Sequence, residues 1–431
     1  MAGTAFLGMR GTDDWTVTGE RPKSWREGFL YLYPNGKMPL TAISGLAKGT
    51  QETDPEFSWF RKELPDQTAT ITGIYSNINL STTVDASGTA AGTTIYLKMS
   101  AAHSNNFRAG HQALALDASQ HSMTVNGKIT SCVQNGASSY VALKLLEADD
   151  NGTTTGLEVA DTLVAIGTIN PEGGEMPKAV SYDASRLYNY TQIFRNSLAM
   201  TRTARKTRLR TMDAYTEAKR EALELHGIEK EKALIWGVAS EGTGDNGEPE
   251  RTTGGIIDFI KTNASANVND YVTNETYDDT TWLVGGETWL NSMLELIFRK
   301  GSTERLGLCG SGALLGINTL ASTMGTVNLE PGETSYGLKI VTWHTPFGDL
   351  HLKTHPLFSY VTAFRNQILI LDPSQISRAY IDDTTFKSDK NSVNSGSVDA
   401  TKEEFLTEDG LRFGFPEVCG LLNGVGQDNP A

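Results

Sequence analysis

The sequence predicts an α+β protein of several compact regions, with a small antiparallel β module set into its first half. Three observations predict it. The chain of 431 residues exceeds what one hydrophobic core organises. Residues from about 68 to 168 are rich in Thr, Ser, Gly and Ala and hold short segments that favour strands. One long helical period occupies about 212–236, and beyond it helix and strand patterns alternate.

In chain order, residues 1–50 mix Gly, Thr and Pro with Trp15, Trp25, Phe29, Tyr31 and Tyr33 and show no sustained period. An extended arm is expected. It has too little of its own surface to bury those rings, so either they dock on another domain or subunit, or the terminus stays loose. FSWFRKELP, residues 57–65, lies between two prolines, and one short buried turn of helix is expected there. Within the β module, TTIYLKM, QALAL, MTVNGKITSCV and SSYVALKLL are the candidate strands. Asn126-Gly127 and Asn135-Gly136 supply the positive φ that tight hairpins demand, and a small barrel is one way such a module closes.

Residues 171–205, from PEGGEMP through Tyr182, Tyr188, Tyr190 and Phe194, read as extended rather than helical. The helix over 212–236 shows Tyr215, Ala218, Ala222 and Leu225 at spacings of three and four, with Gly237 at its end. SEGTGDNGEPERTTGG, residues 240–255, reads as a loop at a domain boundary. GGIIDFIKT begins a further element, and 287–300 is a second helix with Trp289, Leu290, Met293, Leu294, Ile297 and Phe298 on one face. Arg299, Lys300 and Gly301 close it. Two strands flank the turn Pro346-Phe347-Gly348-Asp349; QILILD at 367–372 is another, and a last one lies around Leu411 to Phe415.

Several chemistries find no support. His351 and His355 form an HxxxH with His344 nearby, but four residues of strand span ~13 Å, too far for one ion. His103, His111 and His121 lack a matching ligand set, and surface histidines are the plainer account. There is no HExxH, EF-hand loop or GxSxG, and GSGALLG at 310–316 lacks the lysine of a phosphate loop, so its glycines serve close packing. Asp149-Asp150 and Asp382-Asp383 are adjacent pairs whose side chains point apart, as in turns. Cys132, Cys309 and Cys419 are far apart and read as buried free thiols. No metal, cofactor or catalytic residue is therefore expected.

No run of ~18 apolar residues is present, and the N-terminus lacks the order of a secretory signal, so retention in a cytosol is expected. The net charge of −14 argues against general wrapping around DNA. Against that background Arg202, Arg205, Lys206, Arg208 and Arg210 form a strip with no acid inside it. Nucleic-acid contact is one use of such a strip, but aromatic interleaving is missing there, and an inter-subunit or simply solvated role is expected instead.

Five segments in order resemble one family: FSWFRKELP, EGGEMP running into YNYTQIFRNSLAMTRTA, AYTEAKREALELHGIEKEKALIWG, TWHTPFGDLHLKTHP and ILILDPSQISRAY. Their order is similar to that in the major capsid proteins of tailed bacteriophages with the Hong Kong 97-type fold, in the branch carrying a β insertion, over most of residues 50–425. The resemblance implies an N-terminal arm (1–50) and an extended loop (51–205) with the β insertion at about 68–168. It implies a peripheral domain (206–250 and 361–431) on the spine helix 212–236, and an axial domain (251–360). It further implies a structural subunit, not an enzyme, that forms homo-pentamers and homo-hexamers of an icosahedral head enclosing double-stranded DNA. Scaffold, portal and decoration proteins are its possible partners, the virion its location and the host bacterial cytoplasm its place of assembly.

Trp15 and Trp25 of the arm and the cationic strip are then candidate inter-subunit contacts. Some relatives cross-link subunits through lysine and asparagine; no motif here carries those residues over, so non-covalent closure is expected. The rival reading is a β-rich carbohydrate-binding or adhesin-like virion protein whose module at 68–168 holds the ligand.

Overall fold

The computed structural model describes residues 48–62, 67–84, 88–118, 124–149, 156–207, 213–324, 329–335, 338–389 and 400–430. The fold is mixed α+β, and the described residues fall into two compact units, one within 60–186 and the other within 48–59 together with 187–430.

The first unit is an antiparallel barrel. Seven strand segments between Thr68–Thr70 and Thr162–Thr168 form one sheet whose two outer members are Thr68–Thr70 and Gly73–Tyr75. Only two residues separate these edges. The Ile71 N–H donates to the Asp161 carbonyl (2.7 Å), while the next N–H, of Thr72, donates to that of Lys98 (2.8 Å). One bent strand thus joins both margins and leaves no open edge.

All four candidate strands form, as Thr94–Lys98, His111–Leu116, Thr124–Val133 and Tyr140–Leu145. Alternate residues point inward, and Ile95, Leu97, Ile129, Val141, Leu143 and Leu163 are fully buried. Asn135-Gly136 turns the chain, with Gly136 at φ 52°, but within a six-residue connection, 134–139, rather than as a tight hairpin. Asn126-Gly127 does not. Gly127 lies within a strand, because a Cβ there would collide with the Leu143 side chain that fills the barrel.

In the second unit the strands Ile376–Asp389 and Ala400–Phe413 pair along their length. Gln192–Thr201 joins one side antiparallel and Lys48–Gln51 the other in parallel. At ~3.3 Å per residue the two fourteen-residue strands run about 45 Å. The single short strand expected around Leu411 to Phe415 is therefore an underestimate. Its inward positions alternate Glu403, Phe405, Thr407, Asp409, Leu411 and Phe413, and the three polar residues conceal the apolar period.

A mixed seven-stranded sheet lies in the same unit, in the order Val268–Asp270, Gly420–Asn423, Ile368–Leu371, Glu304–Cys309, Gly348–Thr354, Leu338–Thr345, Leu329–Ser335. All four residues of Ile368–Leu371 are buried. Ile368 and Ile370 pack with the helices Trp282–Phe298 and Ser311–Met324, while Leu369 and Leu371 pack with Ile256–Asn263 and the end of the long helix. Cover on both faces explains why this strand reads as a continuous apolar run.

Four further expectations need correction. FSWFRKELP begins as a strand, Glu56–Arg61, paired with Ser185–Tyr190, with Phe57 buried and Phe60 73% exposed. A turn of helix confined between two prolines gains too few hydrogen bonds to offset its nucleation. Residues 240–255 contain a hairpin, Ser240–Thr243 with Pro249–Thr252. The second helix starts at Trp282, not at 287, and takes in Gly285 and Gly286 because a Cβ there would meet the Tyr271 hydroxyl at 2.6 Å and the Trp282 ring at 2.7 Å. Part of the cationic strip is helical, Arg202–Lys206, with the Thr201 hydroxyl accepting from the Ala204 N–H.

Candidate assembly surfaces

The long helix, Ala214–Trp236, starts at Asp213, whose carboxylate accepts the Thr216 N–H (3.1 Å) and hydroxyl (2.8 Å). Those two bonds hold the Asp213 carboxyl below its ordinary range. The expected apolar stripe is only partly the buried one. Leu225 is exposed, and the inward face consists of Glu217, Ala222, His226, Lys230, Glu231, Leu234 and Ile235. The polar members answer the polar inward residues of Ala400–Phe413.

Lys230 Nζ lies 2.6 Å from Asp409 Oδ2, which also accepts from Arg378 Nε at 2.6 Å; Arg378 reaches on to Asp383 at 2.8 Å. His226 lies between Asn196 Oδ1 and Thr407 Oγ1, each at 2.7 Å. Burial, and secondarily the Lys230 charge, push the His226 pKa down, so the neutral ring is the form this site holds.

Nearer the helix C-terminus Glu231 faces His355 at 3.4 Å, and His355 Nδ1 accepts the Leu357 N–H. Gly237 ends the helix with a negative φ of −59° rather than in the left-handed region. A side chain there would strike the Thr253 and Ala233 carbonyls. Arg305 is likewise a buried strut, bonded to the Val418 and Lys300 carbonyls and to Asp372. These charges act inside the subunit. Sequence reading missed them because a buried ion pair and a solvated one look alike until the partner strand is known.

The histidines once considered for a metal go separate ways: His344 to Asp349 (2.7 Å), His351 to Thr342 (3.1 Å) and His355 to Glu231. Among the described residues no group of three or more His, Cys, Asp and Glu is placed to hold an ion. Cys309 and Cys419 are buried free thiols and Cys132 is half-buried.

Of the candidate contact residues, the structure gathers Arg202, Arg205 and Lys206 on one exposed short helix. The Arg205 guanidinium stacks over the Tyr215 ring at 4.7 Å, and the Tyr215 hydroxyl donates to Glu403 at 2.6 Å. Arg208, Arg210, Trp15 and Trp25 lie outside the described residues. Sequence reading missed two further surfaces. Residues 169–184 contain no helix or strand and expose nearly every side chain, Met176 at 93%. The hairpin 240–252 exposes Glu241, Asp245, Glu248 and Glu250.

Met176 thus stands exposed on a segment whose one internal backbone bond among the described residues runs from the Gly174 N–H to the Pro171 carbonyl (3.1 Å).

Similarity to known proteins supplies the family. The chain is similar to a protein described as a major capsid protein of Pseudomonas phage PaMx41, 27% identical over 421 residues, which covers 94% of this chain and 92% of that one. Among solved structures it is similar to the capsid of an empty GTA particle (TM-score 0.46, 8% identity, 98% of this chain and 100% of the other). It is also similar to a chain of Microbacterium phage Oxtober96 (TM-score 0.41, 10% identity, 95% and 96%). The model of one family, the SU10 major capsid protein, matches residues 16–426. With that match spanning nearly the whole chain, the protein belongs to the SU10 major capsid protein family, and is a structural subunit of a phage virion rather than an enzyme.

Proposed function

We propose that copies of this chain close an icosahedral head as homo-pentamers and homo-hexamers around double-stranded DNA, which they enclose without sequence-specific contact. The observation that carries this reading is the segment 169–184, whose exposed side chains include Met176, Val180 and Tyr182. A subunit that works alone has little use for such a segment; a shell subunit has a neighbour to lay it on. The acidic chain, at −14, suits a wall that must not adhere to its cargo.

In this reading residues 1–50 are the arm and 51–205 the extended loop, with the barrel as its insertion. Residues 206–250 and 361–431 make the peripheral domain, and 251–360 the axial domain. Arg202, Arg205, Lys206, Arg208 and Arg210, with Trp15 and Trp25, are contacts between subunits. Scaffold, portal and decoration proteins assist, and assembly takes place in the bacterial cytoplasm. Closure needs heterologous contacts, in which each patch meets a different patch on its neighbour.

Met176→Asp in the full chain tests this. Particle formation, followed by sedimentation and electron microscopy, should fall sharply while the melting temperature of the unassembled subunit stays the same. Particles forming at the wild-type yield would show that the segment meets no neighbour.

A further inference from the structure

The strand Gln192–Thr201 is flanked by opposite charges, an acidic hairpin beside its start and a cationic helix after its end. At its start, Gln192 Oε1 accepts the Thr253 N–H at 3.2 Å, which fixes the base of the hairpin 240–252 beside it. That hairpin exposes Glu241, Asp245, Glu248 and Glu250, and its one cation, Arg251, already pairs with Glu241 at 2.9 Å. After the strand's last residue, Thr201, the chain enters the helix Arg202–Lys206, with three cations and no acid. Asp213 lies within electrostatic reach of Arg205, which is also stacked on Tyr215.

Ten residues of strand at ~3.3 Å each separate the two sites by about 30 Å. The Debye length at physiological salt is about 8 Å, so within one subunit the acids of the hairpin cannot neutralise the cations of the helix. The remainder of the chain cannot explain the cations as general solubility, since the net charge is −14 and subunits repel at long range. A basic patch on such a surface is where an acidic neighbour approaches without repulsion.

We propose that the acidic hairpin 240–252 of one subunit seats against the cationic helix Arg202–Lys206 of a neighbouring copy of this chain. The inference rests on the shell-forming reading above and names the partner surface within it. The contact is heterologous. Each copy uses its hairpin on one neighbour and keeps its helix for the next, so the contact propagates around a ring or across a lattice instead of stopping at a dimer. Val238, exposed at the hairpin's base with its carbonyl accepting from the Thr252 hydroxyl, adds apolar area beside the charges.

Charge reversal and its reciprocal test the pairing. E248K/E250K spares Glu241 and its bond to Arg251; R202E/K206E spares Arg205 on Tyr215. Each reversal alone should lower the fraction of full-length chain that sediments as particles by about tenfold or more. The fourfold variant, with both sites reversed, should recover to within about twofold of wild type. A reversal that assembles like wild type, or a fourfold variant no better than the worse reversal, overturns the pairing.

Wild-type chain in the same assay reports separately whether shells form at all. Raising salt from about 0.05 to about 1 M, where the Debye length shrinks to ~3 Å, should narrow the gap between wild type and each reversal, and a gap that salt leaves unchanged would likewise overturn the proposal.

Discussion

Asp409→Asn removes one charge from the interior of the second unit. Asp409 is fully buried; its Oδ1 accepts the Gly410 N–H at 3.0 Å, and its Oδ2 serves both Lys230 and Arg378. Asparagine keeps the shape and loses the charge. Arg378 retains Asp383, whose side chain is largely exposed, but the nearly buried Lys230 loses the one ion pair it makes among the described residues and keeps only the longer-range field of Asp383. Breaking a buried pair from one side costs about 3–5 kcal/mol, and the remaining Asp383 places this case near the lower end, about 3 kcal/mol. For a unit of this size that corresponds to a fall in melting temperature of about 5 °C.

The assay is thermal unfolding of the unassembled subunit, with amide exchange along Ala400–Phe413 as a local probe. Lys230→Met added to Asp409→Asn removes the stranded cation and should recover at least about 1 kcal/mol of the loss. A single variant melting within about 2 °C of wild type, or a double variant whose loss is the plain sum of the singles, would refute the idea that these charges depend on each other.

Other expectations follow from the same interior. His226 has a pKa below its ordinary 6.5, so the unfolded chain binds the proton more readily; stability should decline as pH falls below about 6.5, and His226→Gln should flatten that slope in chemical denaturation. Gly127→Ala would force a methyl group into Leu143, costing about 1–3 kcal/mol in the same assay; a neutral result would mean the barrel has slack there. Burial raises the thiols of Cys309 and Cys419 to about 12 and that of Cys132 to about 11, so a thiol reagent at pH 8 should label the folded chain slowly and the denatured chain at once. Purified particles boiled in detergent should run as one monomer band, and a ladder of multimers would contradict non-covalent closure.

Legibility in the sequence varied with how each element buries its residues. The barrel strands were readable because inward residues such as Ile95, Leu97, Val125 and Ile129 alternate with less buried ones. Ile368–Leu371 was readable because both its faces are covered. The long helix was readable in extent but not in orientation. Its buried face holds His226, Lys230 and Glu231, while Leu223 and Leu225 face outward, so an apolar stripe pointed the wrong way. The same exchange hid the strand Ala400–Phe413.

The cationic helix could be found from composition, since charge density needs no partner to be noticed. The acidic hairpin could not, because its meaning depends on lying at the far end of the strand from those cations. Glycines misled in one direction only. Gly127, Gly285 and Gly286 sit where a neighbour leaves no room for a side chain, and distant contacts of that kind leave no local trace.

The most direct test of the central claim is electron microscopy of the full-length chain expressed in bacteria, alone and together with its phage's scaffold and portal proteins. Closed shells or capsomer-sized rings in either preparation are the predicted result. A strictly monodisperse monomer in both, across salt and concentration, would contradict the account of this chain as a self-assembling shell subunit.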